Sequence, residues 1–145
     1  MKTVASNRRA RFDYEILETI EAGIQLTGAE AKSCRMGHVD LAGSYVSFSG
    51  KQAVLKHLKI HPYKFARPEN QTIERDRVLL LGRKDLDQLS SSSAEKGVSI
   101  VPLEVRAGKY IKIQIGIGRG RKSHDKRQAI REREIGKKLQ KGEEI

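Results

Sequence analysis

The sequence predicts a mainly β protein: a small closed antiparallel Greek-key barrel of the OB-fold-like kind, with two or three short helices and a basic C-terminal tail that is disordered when free. Three observations carry this. Five or six short apolar runs are separated by turn residues at strand-like spacing. The last run alternates cleanly, with Ile111, Ile113, Ile115 and Ile117 against Tyr110, Lys112, Gln114 and Gly116. Beyond it, only Ala129, Ile130, Ile135, Leu139 and Ile145 are apolar, too few to offset the cost of ordering a backbone. An open sheet packed by helices on one side fits the same elements. The expected division is a basic arm over residues 1–12, a barrel over 13–118 and a tail over 119–145.

Taken in order, residues 1–12 carry Arg8, Arg9 and Arg11 without periodicity and read as a solvated arm. Phe12 to Leu26 alternates imperfectly, predicting a long bent strand. Tyr14, Ile16, Ile20, Ile24 and Leu26 are candidates for its inner face, and a bulge or bend falls at Glu21-Ala22-Gly23. Thr27-Gly28-Ala29-Glu30 matches a capping box, starting a short helix that Gly37 ends. Cys34 on that helix reads as a small core residue. Residues 44–49 and 53–60 form a hairpin pattern around Ser49-Gly50-Lys51-Gln52, and residues 61–76 form a long loop containing Pro62 and Pro68.

Val78 to Leu81 is a continuous apolar run, expected to be buried on both faces or covered by a helix. A helix follows from Asp85 to about Lys96, with Gly97 as its stop. Val98 to Val105 then alternates, with Val101, Leu103 and Val105 on one face, and Pro102 requires an edge or a bulge. Gly116, Gly118 and Gly120 read as a pliable exit from the barrel. In the tail Asp125 can N-cap a helix carrying Lys126, Arg133, Lys137 and Lys141 on one face.

Composition narrows the function. The net charge is +11 with a pI near 10.0, which points to a polyanionic partner. No apolar run approaches the roughly 20 residues of a membrane span. One cysteine fits a reducing cytosol and excludes an internal disulfide and the multi-Cys zinc patterns. The start lacks the apolar stretch of a signal peptide; its arginines resemble the opening of a transit peptide but lead directly into a strand pattern. Cytoplasmic location is the expectation.

Catalysis finds no support. His38, His57, His61 and His124 are not at metal-ligand spacing, and no nucleophile triad stands out. Gly116 to Ser123 approximates a P-loop, but Arg121 occupies the position of the second glycine. No metal, cofactor or catalytic residue is expected. His124, among Arg121, Lys122, Lys126 and Arg127, reads equally as a solvated side chain or as a stacking or phosphate-binding one.

Several stretches in one order carry a resemblance. They are Asn7-Arg-Arg-Ala-Arg-Phe-Asp-Tyr14, Ile20-Glu-Ala-Gly23, Leu26-Thr-Gly-Ala-Glu-Ala-Lys-Ser33, Ser44-Tyr-Val46, Leu79-Leu-Leu81 and Gly118-Arg-Gly-Arg-Lys-Ser-His-Asp-Lys-Arg127. On these the chain resembles the tmRNA-binding small protein B (SsrA-binding protein) family. The resemblance implies a monomeric, non-catalytic adaptor of trans-translation that binds the tRNA-like domain of tmRNA and carries it to stalled ribosomes. An elongation factor carrying aminoacyl-tRNA takes part indirectly.

It further implies a tmRNA-binding set of Asn7, Arg8, Arg11, Glu21, Gly23, Lys32 and Leu80. The implied ribosome-engaging set is Arg119, Arg121, Lys122, His124, Asp125, Lys126 and Arg127, with the tail helical in the vacant A site and message channel. Phe12 stands where the family often has His, and Gly82 where Asn or His is common. A general single-strand RNA or ribosomal OB-fold binding protein is the alternative.

Overall fold

The computed structural model describes residues 1–49, 51–65 and 73–120. Twelve elements follow in order among them: β1 (Lys2–Ser6), α1 (Arg8–Asp13), β2 (Tyr14–Ile24), α2 (Gly28–Arg35), β3 (Val39–Asp40), β4 (Tyr45–Ser49), β5 (Gln52–Lys56), β6 (Lys59–Ile60), β7 (Arg77–Leu80), α3 (Arg83–Ser93), β8 (Val98–Ala107) and β9 (Ile111–Gly120). Seven strands form one antiparallel sheet in the order β1-β8-β9-β2-β7-β5-β4, and β3 pairs with β6 separately. The expected closed barrel is therefore an open sheet. Among the described residues no ladder joins β1 to β4, although the sheet curls far enough to bring β4 against β8.

The expected N-terminal arm is structured. β1 pairs with β8 from Lys2↔Ala107 to Ser6↔Glu104, with Val4 and Ala5 packed on the core. The Asn7 side chain accepts from the Ala10 amide and donates to the Pro102 carbonyl at 3.0 Å, so it caps α1 and ties it to β8. The three arginines hide this from the sequence, because their charge masks the buried Ala10 between them.

Two bulges explain where alternation misleads. The first shifts register between Ile16 and Glu18, rather than at Glu21-Ala22-Gly23. The second lies between Pro102 and Glu104; Pro102 is thus in an inner strand at a bulge, not on an edge. An extra residue flips every later side chain to the other face. Val98, Ile100 and Val105 consequently reach the main core, while Val101 and Leu103 join Ala10, Tyr14 and Ile16 in a smaller cluster beneath α1. The main core gathers Leu41, Leu55, Leu58, Leu89, Ile113 and Ile115, each at most 1% exposed.

Local signals otherwise transfer well. The Thr27–Glu30 capping box is present in both directions, and Cys34 is buried at 1% exposure. The hairpin β4–β5 pairs Tyr45↔Lys56 through Ser49↔Gln52, but its second strand stops at Lys56 because His57 turns the chain with φ 61°. Ser90 to Ser93 remain helical, and Gly97 follows with φ +79°. β9 runs through Arg119 to Gly120, beyond the expected domain boundary, and pairs with β2 and β8 on its two sides.

Gly116 and Gly118 of β9 are packing positions and not part of a pliable exit, whereas a Cβ on Gly120 would meet nothing within 4 Å. A Cβ on Gly116 would stand 2.9 Å from the Leu103 Cδ1, and one on Gly118 would stand 2.9 Å from the Tyr14 Cβ. Their bareness lets the cluster under α1 press onto the strand. The expected tail helix and its cap at Asp125 lie outside the described residues.

Candidate RNA-binding surface

Strand register builds the site. Leu80 of β7 lies beside Gly23 of β2, Gly23 beside Lys112 of β9, and Lys112 beside Arg106 of β8. The next outward row sets Glu21 beside Gln114 and Gln114 beside Glu104. Side chains at positions two apart share a face. These two rows therefore form one polar surface, with Ala22, Leu79, Ile113 and Val105 buried behind it.

At one end the rows open into a cleft of about 360 Å³ between β2, β7, α2 and the β8–β9 turn. Leu80 is 51% exposed and Tyr110 64% exposed at its walls. The expectation that the Val78–Leu81 run is buried on both faces or covered by a helix fails at Leu80, whose side chain is presented to solvent, while Leu81 packs on the core. Gly23 permits the arrangement, because a Cβ there would meet the Leu80 Cβ at 3.2 Å. Lys109 holds its Nζ 5.7 Å from the Tyr110 ring centroid. Arg35 donates to the carbonyls of Gly108 at 2.6 Å and Lys109 at 3.0 Å, pinning α2 to the turn.

A buried ion network holds this geometry. Arg77 is fully buried and donates to Glu30 Oε2 through Nη2 at 2.6 Å and Nε at 2.9 Å, and to the Leu58 carbonyl at 2.6 Å. Arg75 donates to the same carboxylate. Burial pushes the Glu30 carboxyl up, but hydrogen bonds from Arg75, the Thr27 amide and Arg77, with the Arg77 charge, outweigh it and hold the group below the usual 4.5. The network joins α2 to β7 three residues before Leu80.

An exposed aliphatic and an exposed aromatic facing each other among lysines and arginine suit a nucleobase between them and phosphates at the rim. Glu21, which among the described residues has no ion-pair partner, supplies an acceptor for a base amine. By contrast, Arg106 donates to Glu104 at 3.0 Å and its charge is largely compensated. Among the described residues no cluster of three or more metal-ligating side chains occurs, and no helix is long and apolar enough to cross a membrane.

The family model described as SmpB protein matches residues 4–144. This chain belongs to the SmpB family. The SsrA-binding protein of Synechococcus sp. (strain JA-3-3Ab) is 46% identical over 143 residues, covering 97% of this chain and 93% of that protein. That of Bdellovibrio bacteriovorus is 44% identical over 138 residues, covering 94% and 90%. A chain of the solved structure "tmRNA-SmpB: a journey to the center of the bacterial ribosome" superposes with a TM-score of 0.70 at 42% identity, covering 88% of this chain and 94% of that one.

Of the residues expected from the SmpB-type motifs, the structure brings Glu21, Gly23 and Leu80 onto one surface. Arg8 and Arg11 are exposed on α1, at the other end of β2 and about 30 Å from Gly23 along the strand. Asn7 is there too, with both ends of its side-chain amide bonded within the protein. Lys32 is exposed on α2 but lies over the Tyr63 ring, 5.4 Å from its centroid. Phe12 packs under Arg9, whose Cζ is 4.9 Å from the ring centroid. Arg119 is exposed near the end of β9, beside Glu15. Arg121, Lys122, His124, Asp125, Lys126 and Arg127 lie outside the described residues.

Sequence reasoning missed Tyr110, Lys109, Lys112, Gln114 and Arg35. A signal was present in the isoleucine alternation, which assigns Tyr110, Lys112 and Gln114 to the outward face of a strand. An aromatic there, between two lysines, is the pattern of a stacking site. Arg35 carried no such signal, because its place at the cleft depends on the distant β8–β9 turn.

Proposed function

We propose that this protein is a non-catalytic RNA-binding adaptor of trans-translation, which binds the tRNA-like domain of tmRNA and delivers it to stalled ribosomes. The observation that carries the reading is the Leu80–Tyr110 cleft with its cationic rim, in a chain whose relatives are SsrA-binding proteins. Leu80 and Tyr110 sandwich an unstacked base, Glu21 accepts from a neighbouring base amine, and Lys109, Lys112 and Arg35 meet phosphates. Such contacts select an RNA loop over a regular duplex, whose base edges are less accessible. Arg8 and Arg11 add phosphate contacts at the α1 end. The protein acts as a monomer in the cytoplasm, and an elongation factor meets it only through the charged RNA. Arg119, Arg121, Lys122, His124, Asp125, Lys126 and Arg127 engage the decoding region and message channel, in a tail disordered when free and helical when bound.

The test is competition binding to the tRNA-like domain of tmRNA in moderate salt. An unrelated structured RNA at equal concentration should fail to displace it, and Leu80→Ala with Tyr110→Ala should weaken binding about ten-fold. Displacement by the unrelated RNA would instead make this a general basic RNA binder, since charge alone is indiscriminate and salt-sensitive.

A further inference from the structure

α2 has two working flanks. Ala31 and Arg35, one turn apart, line the Leu80–Tyr110 cleft. Lys32 and Met36, each one residue later and so rotated about 100° around the helix, turn toward the chain that follows β6. Met36 lines a second cleft of about 130 Å³ with His38, Pro62, Tyr63 and Lys64, and the Lys32 Nζ lies 5.4 Å from the Tyr63 ring centroid. Phe65 is 74% exposed, meets Tyr63 edge to face at 5.4 Å between centroids, and carries the Lys64 Nζ 4.9 Å from its ring centre. Among the described residues no acidic side chain lines this cleft.

The surface thus combines two aromatic rings, one of them largely in water, with two lysines. Burial would favour covering Phe65 with protein; the fold leaves it outside. Aromatics interleaved with cations are the composition of a single-strand nucleic-acid track, where bases stack and lysines follow the backbone. The patch also continues the first cleft across the width of one helix.

We propose that the Tyr63–Phe65 patch is a second RNA-binding subsite, stacking an unpaired base of an RNA whose neighbouring nucleotides occupy the Leu80–Tyr110 cleft, with Lys32 and Lys64 against the intervening phosphates. This rests on the reading of the first cleft as an RNA site, and it assigns Lys32 to the crossing over α2 rather than to the cleft itself. The geometry extends the footprint from a single base pocket to a segment of strand.

The experiment uses the full-length protein and the tRNA-like domain of tmRNA, unmodified for affinity and carrying 4-thiouridine for crosslinking. Tyr63→Ala with Phe65→Ala should bind roughly ten-fold more weakly with an unchanged melting temperature, because the rings are peripheral to the core. Phe65→Trp should retain affinity, and Lys32→Ala and Lys64→Ala should each reduce the slope of log affinity against log salt by about 1. Crosslinks should map to the peptide containing Tyr63 and Phe65.

Unchanged affinity in the double alanine variant with no crosslink at that peptide overturns the proposal. If Leu80→Ala still weakens binding in that case, the first cleft stands without the second. If Leu80→Ala is neutral as well, both readings fall together. A double variant that keeps its RNA affinity but loses ribosome binding, with crosslinks from the patch to ribosomal protein, overturns the RNA subsite in favour of a protein contact.

Discussion

A methyl group on Gly118 would stand 2.9 Å from the Tyr14 Cβ and 3.3 Å from the Ile16 Cδ1. The Tyr14 Cβ is fixed to its backbone and cannot swing away, whereas the Leu103 Cδ1 that faces Gly116 is the far end of a side chain that can shift by a few tenths of an ångström. Gly118→Ala should therefore lower stability in urea by about 1–3 kcal/mol, and Gly116→Ala by less. A hinge glycine would behave oppositely, gaining about 0.4–1 kcal/mol from a stiffer unfolded chain. The sequence displayed these glycines beside a run of arginine and lysine, and flexibility was the local interpretation; the side chains that require them come from β2 and β8, far away in the chain. Cys34 presents the reverse case, since its small apolar setting is legible from its helix stripe. Burial pushes its thiol up to about 12, so at pH 8 a thiol reagent should label it only on unfolding. Rapid labelling of the native protein would contradict this burial.

Among elements, the α2–β7 junction has the largest stake. Glu30 was legible as half of a capping box, but its second role was not, because Arg77 is separated from it by 47 residues and stands just before an apolar run that gives it no buried partner to point to. Glu30→Gln removes the carboxylate charge to which the buried Arg77 and Arg75 donate and should cost about 3–5 kcal/mol, the range for breaking a buried ion pair. Arg77→Met with Glu30→Gln should recover part of that loss, as measured in a double-mutant cycle. The acid response follows from the lowered Glu30 value: its contribution is complete above pH 4.5 and disappears as pH falls through the lower folded value. Urea midpoints measured from pH 6 downward should fall more steeply below pH 4.5 in the native sequence than in Glu30→Gln. Parallel curves would remove Glu30 from the acid response.

For the whole molecule, strand order sets the limits of what periodicity discloses. The runs that become β2, β5, β8 and β9 are visible one at a time, but closure depends on which strands sit at the edges, and β1 was concealed in a stretch that scanned as charged. The bulges in β2 and β8 are equally long-range, because they lie against different stretches of β9, at Ile117–Gly118 and Gln114–Ile115, and strand β8 and strand β2 both feed the cluster beneath α1. Truncation after Gly120 should preserve the melting temperature of the domain; truncation after Gly118 should lower it, since Arg119↔Val98, Glu15↔Arg119 and Tyr14↔Gly120 are then lost. Equal melting temperatures would show that these last rungs add nothing. The continuous β9 has a mechanical consequence as well. The Gly23–Lys112 rung lies at one end of the β2–β9 ladder and the departure point at Gly120 at the other, about 30 Å apart along the strand. Tension on residue 121 while the cleft is held would load β9 lengthwise against β2 and β8 together, in shear, so that the rungs share the force instead of peeling one after another.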